Sequence, residues 1–285
     1  MLLSIIFTIL LSIHKMQNPI KLAVFNPSNV IFTQQKHFMP VHIQAFLSTF
    51  KQFGVNIYKP SIVNEITDII DLYAGHSTHE HISLILEHAT PANPIYDAIR
   101  GYNRIALTNA MFESVENNLQ YYLAQPEYYT INRHFINVIN KLKNHGVIYF
   151  AISTGLSCSS YRIIQDLYFN KINFTPDYII CSDNIVKPLP SVNGIYKILT
   201  ALKLKPNQCM KIGGHCADII EANRIKCVPI GITSDITLRH RMYINNAYVV
   251  LNNLNDLPDM FNPFSNTAKY ITQWHYQQEL TYIDV

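Results

Sequence analysis

The pattern that most constrains this chain is a separation between its first strand and all the others. Residues 20–25 (IKLAVF) form a short apolar run of strand length, closed by the breaker-rich NPSN. No comparable run follows until VIYFAI at 147–152. From there strands and helices alternate. Strands are expected at 147–152, 178–181, 209–212, 227–232 and 247–251, with helices at 157–169, 191–203, 217–224 and 236–244 between them. Such alternation builds a parallel sheet with right-handed crossovers, and the first strand joins that sheet from a distance. The intervening residues carry helical periods at 40–53, 61–73, 81–88, 94–100, 109–124 and 130–144. The expected fold is therefore α/β, with a Rossmann-like parallel sheet and a helical block inserted after its first strand.

Four segments divide the chain on this reading. Residues 20–34 and 146–260 form the core, 35–145 the inserted helical block, and 261–285 a tail. Residues 1–19 are an apolar amino-terminal segment. Its run MLLSIIFTILLSI has the length of a signal h-region and is too short to span a bilayer. Met16 offers an alternative start. Five cysteines without a CxxC pair point to free thiols and a reducing cytoplasm, whereas a working signal at 1–15 would mean secretion. Only 14% of residues are charged, at a net +3, and no basic block occurs, which argues against nucleic acid as a partner.

In open parallel sheets ligands bind beyond the carboxyl ends of the strands. The segments found there are KLAVFNPSNVIF (21–32), VIYFAISTG (147–155), IVKPLP (185–190) and KIGGHCADIIEANR (211–224). Their order resembles the four motifs of the haloacid dehalogenase superfamily. AGHSTHEHI (74–82), PDYIICSDNIV, IYKIL and NAYVVLNNLNDLP (246–258) are most similar to the phosphonoacetaldehyde hydrolases within it. The resemblance covers residues 20 to 260. It implies a helical cap, a homodimer formed through that cap, and a reaction converting phosphonoacetaldehyde to acetaldehyde and phosphate.

The same resemblance assigns roles to positions. The nucleophilic aspartate falls on Asn26, the Schiff-base lysine on Thr78, and the magnesium ligands on Asn26, the Ser28 carbonyl and Gly214. A carboxamide is no anionic nucleophile, Thr78 has no amine, and Gly214 has no side chain. Magnesium requires hard carboxylate oxygens. No Asp occurs between residues 1 and 67 and no Lys between 60 and 140, so a shifted alignment restores nothing. The expectation is a catalytically inactive relative with no cofactor, magnesium entering only if the family activity persists. Thr154, Gly155 and Lys187 match the phosphate-holding positions, Asp218 the second acid of the fourth motif, and His81 the cap histidine. A small phosphate or phosphonate anion is thus the expected ligand. Two other readings remain: an active hydrolase of the family type, and an interaction protein pairing with an active paralogue.

Further residues are ligand-like on spacing alone. His76, His79 and His81 beside Glu80 suggest zinc, and His215, Cys216 and Asp218 lie at the old magnesium position. Cys158 reads as a buried structural thiol. Tyr121-Tyr122 and Tyr128-Tyr129 read as helix packing.

Overall fold

The computed structural model describes residues 20–34, 40–89, 95, 99–187 and 189–261. The amino-terminal apolar run, the carboxyl-terminal tail and most of the expected helix at 94–100 lie outside the described residues.

Six strands form one sheet: β1 (Leu22–Phe25), β4 (Tyr149–Ser153), β5 (Tyr178–Ile180), β6 (Cys209–Gly213), β7 (Val228–Ile232) and β8 (Val249–Leu251). Their order is β5-β4-β1-β6-β7-β8, and every pairing is parallel. β1 therefore lies at the centre, with Ala23 beside Phe150 and Met210 in register. The order reverses at β1, so the loop after it opens into the crevice where such sheets bind ligands.

Both faces of the sheet are covered, which is why its strands read as unbroken apolar runs. Leu22, Val24, Ala151 and Cys209 pack against α7 (Asn193–Leu202) and α8 (Cys216–Ile225). Ala23, Phe25, Ile152 and Ile212 face the other side, within the cluster that holds Phe135 and Phe169. Phe135 makes an edge contact with Phe25, at 5.7 Å between ring centroids. It belongs to α5 (Phe135–Asn144), so this helix packs beneath the sheet. It falls within the span 35–145 expected for the inserted block.

The helical insertion holds α1 (Val41–Gln52), α2 (Pro60–Leu72), α3 (Thr78–His88) and α4 (Arg104–Leu123). On α4 the buried positions Leu107, Met111, Val115 and Leu119 recur at four-residue spacing and form its apolar stripe. Ser48 of α1 bonds Tyr122 of α4 at 3.0 Å, and Tyr122 stacks edge-on with Tyr128, as packing residues would. One strand expectation is corrected. The stretch 35–145 contains a strand, β3 (Tyr129–Ile131), pairing antiparallel with β2 (Phe32–Gln34). Three residues are too few to show a two-residue period, and the run had read as the start of a helix at 130. The pair ties the two ends of the insertion together.

α6 (Cys158–Ile164) follows β4 and runs on as a π turn through Phe169. α9 (Ile236–Ile244) precedes β8. Among the described residues no helix is long and apolar enough to cross a membrane.

Candidate functional site

The insertion closes over the carboxyl ends of β1, β4 and β6 and leaves a cavity of about 130 Å³. The core lines it with Asn26, Ser28, Thr154, Gly155 and His215, and the insertion with His42, Asp71, His76, Thr78 and His81. Residues aligned with three of the four strand-end segments thus meet in one place. Lys187 does not: it is exposed and does not line the cavity.

Asn26 follows β1 directly, and its backbone N–H donates to Ile212 O at 2.9 Å. Its side chain is buried and fully engaged. Nδ2 donates to both oxygens of Asp218, at 3.1 and 3.2 Å, and Oδ1 accepts from Ser28 N at 3.2 Å. These partners fix the amide orientation, because a carboxylate and a backbone N–H each leave one choice.

Asp218 is also fully engaged. Oδ1 lies 3.2 Å from Lys211 Nζ, and Oδ2 accepts from His215 N at 3.2 Å. Lys211 Nζ also donates to Ser153 O at 3.4 Å and lies 3.2 Å from Glu221 Oε2. Glu221 Oε2 is thus an ion-pair partner of Lys211. Lys211, Asp218 and Glu221 are almost wholly buried. Burial works against the Lys211 cation, but Glu221 and Asp218 outweigh it and its pKa is raised. Burial raises Glu221 to about 7, against the pull of Lys211. Gly213 is required here, since a Cβ on it would lie 2.1 Å from Asp218 Cγ.

Gly214 has a different neighbour. A Cβ built there would meet Asn29 Cβ at 2.7 Å and Ser28 O at 3.0 Å. The space an aspartate would use is filled by the loop after β1. Asn29 holds that loop in the left-handed region, at φ 59°.

Thr78 begins α3 behind a capping box in which Ser77 accepts from Glu80 N and Glu80 from Ser77 N. Its hydroxyl donates to Glu116 Oε1 at 2.8 Å. Ser157 and Ser160 donate to Glu116 Oε2, at 2.6 and 2.9 Å. Glu116, on α4, therefore joins the insertion to α6 through three hydroxyl donors. Thr154 Oγ1 accepts from Leu156 N at 3.2 Å. Gly155 lies under the insertion: a Cβ there would meet His76 O at 2.7 Å and Gly75 O at 2.9 Å.

Burial disfavours the charged form of three imidazoles lining the cavity, those of His42, His81 and His215. Burial lowers His42 to about 4, with His215 adding to the effect. Burial lowers His81 to about 3, with His42 adding and its bond to Tyr73 O opposing. His215 is lowered by burial too, against Asp218 and Asp71. Burial and then Asp68 raise Asp71. No Lys or Arg is among the lining residues.

The zinc reading of His76, His79 and His81 is corrected. His79 packs near Phe112 and lines a separate pocket, and the His81 ring bonds Tyr73 O. His79 and His81, two residues apart on α3, point to different faces, whereas the His76 and His81 rings are neighbours at 6.3 Å between centroids. His215, Cys216 and Asp218 also form no ion-holding group among the described residues. Sequence reasoning missed His42, Asp71, Glu116, Lys211 and Glu221. Lys211 had a signal: a lysine inside a buried strand must find an anion. Glu116 had one as well, beside Val115 on the apolar side of α4.

The family described as haloacid dehalogenase-like hydrolase matches residues 39–232. No curated protein matches the sequence. Among solved structures, a phosphonoacetaldehyde hydrolase-like protein from Oleispira antarctica superposes with a TM-score of 0.69 at 15% identity, over 87% of this chain and 96% of that one. CbbY from Rhodobacter sphaeroides, in complex with phosphate, gives 0.60 at 17%, over 84% and 96%. A hydrolase from Pseudomonas syringae gives 0.59 at 14%, over 86% and 99%. At these identities the likeness concerns the fold.

Proposed function

The chain belongs to the haloacid dehalogenase-like hydrolase family, and we propose that within it this protein has lost covalent, metal-dependent hydrolysis and keeps the cleft as a binding pocket. The observation that carries this reading is the state of Asn26. A neutral carboxamide stands at the nucleophile position, and both its ends are bound to Asp218 and Ser28.

Magnesium fits these residues poorly. Of the expected ligand positions, Asn26 lends no negative charge, and Gly214 has no side chain and no room for one. The nearby Asp218 already faces a fixed cation, Lys211. Thr78 supplies a hydroxyl, which forms no Schiff base, and that hydroxyl is held by Glu116.

The pocket that remains is lined by buried imidazoles, by the Thr154–Gly155 turn and by Asp71. Its chemistry suits a small polar ligand better than a phosphate dianion, which would face Asp71 and the Gly75 and His76 carbonyls without a cation in the lining. Thr154 and Gly155 are retained in the lining, whereas Lys187, the third phosphate-holding position, is outside it. Phosphate or phosphonate is therefore expected to bind weakly.

Calorimetric titration with magnesium and then with inorganic phosphate tests the reading. The expected result is no saturable magnesium binding and phosphate affinity no tighter than millimolar. Magnesium-dependent phosphate binding would count against it.

A further inference from the structure

Two loops on the rim of the sheet bring sulfur and carboxylate ligands together outside the cleft. One follows β4 and leads into α6, and the other follows β5. Ser182 N donates to Leu156 O at 2.9 Å, and Cys158 N to Asp183 Oδ1 at 2.9 Å, so the loops are tied to each other. Within the second loop Cys181 N donates to Asn184 Oδ1 at 3.1 Å. One ligand atom from each of Cys158, Cys181 and Asp183 lies within 4.8 Å of the other two. Neither cysteine nor Asp183 lines the cavity.

We propose that Cys158, Cys181 and Asp183 form a binding site for a soft divalent cation of the zinc class. Two thiolates and one carboxylate are a donor set that favours zinc over magnesium or calcium. A zinc–sulfur distance of about 2.3 Å requires only small side-chain rotations to close the group. Asp183 comes already oriented, because a backbone N–H holds one of its oxygens and the other remains for the ion. Cys158 is half-buried and Asp183 exposed, giving the ion a path from solvent, while Cys181 is buried. Three protein ligands leave a fourth position for water.

The proton balance follows from the thiols. Burial pushes Cys158 and Cys181 up, and each neighbour's sulfur and Asp183 influence the other, so without a cation both remain protonated. Each gives its proton to solvent as the ion binds, and the ion's charge then stabilises the thiolates. A bound ion would clamp the loop that carries Thr154 and Gly155, fixing one wall of the cleft.

The test uses the full chain purified without a histidine tag, since it already has 12 histidines. Zinc is titrated against a chromogenic chelator near neutral pH, and cobalt is used as a spectroscopic substitute. The expected result is one tight equivalent of zinc, released protons, and sulfur-to-cobalt charge-transfer absorption. Cys158→Ser and Asp183→Asn, both at accessible positions, should each weaken binding at least ~10-fold. Unchanged zinc affinity in Cys158→Ser, or a cobalt spectrum lacking the sulfur band, would overturn the proposal. So would recovery of the protein with a Cys158–Cys181 disulfide that takes up no zinc.

Discussion

The ammonium of Lys211 and the carboxylate of Asp218 meet 3.2 Å apart, with both side chains fully buried beneath Asn26. Removing one member of such a pair strands the other's charge, at a cost of about 3–5 kcal/mol. Lys211→Met is therefore expected to destabilise the protein by about that amount at pH 8, measured by urea unfolding. Part of the loss should return at lower pH as Glu221 takes up a proton.

Asn26→Asp would not restore the family nucleophile. It would place a second carboxylate about 3 Å from Asp218, where like charges cannot both ionise. The new pair shares a raised pKa in the folded state, so its protonated form favours folding and stability falls as pH rises. The variant should unfold more easily than the parent at pH 8 and approach it near pH 5. Phosphate release should remain absent.

Glu116 accepts hydroxyl bonds from Thr78 on one side and from Ser157 and Ser160 on the other. Glu116→Ala leaves these buried hydroxyls without their acceptor, at roughly 2–4 kcal/mol. Hydrogen exchange should rise in α3 and α6 together, because the carboxylate joins them. An increase confined to α4 would argue against this coupling.

His81 is held neutral, its pKa lowered to about 3 chiefly by burial. The unfolded chain protonates near 6.5, so His81 contributes stability above that pH and loses it as pH falls toward 3. Between pH 7 and pH 5 the loss is about 2 kcal/mol, at about 1.4 kcal/mol per pKa unit. Glu221 works in the opposite direction, since its pKa is raised to about 7 and its protonated form favours the fold. Comparison of His81→Gln with the parent separates the two: the variant should lose less stability on acidification.

The sheet was legible because five of its six strands are buried on both faces and read as apolar runs between breakers. β2 and β3 were not, since three-residue strands carry no period. At the site, Asn26, Thr78, Thr154, Gly155, Ser28 and His81 were found through their place after strands or in the AGHSTHEHI segment, and the structure brings them to one cavity. Lys187 was placed by the same reasoning and lies outside it, because a loop position fixes no side-chain direction. Gly214 was legible as a missing side chain, but not as a space already filled by Asn29. Partners far apart in sequence, such as Thr78 with Glu116 or Cys158 with Cys181, leave no mark on spacing. Cys158 had read as a buried structural thiol for that reason, whereas it is only half-buried.

Loss of hydrolysis is the central claim, and phosphate release from phosphonoacetaldehyde with saturating magnesium tests it most directly. The parent chain should release phosphate no faster than the same mixture without protein. Magnesium-dependent release that persists through purification and disappears on Thr154→Val or Asp218→Asn would contradict the account.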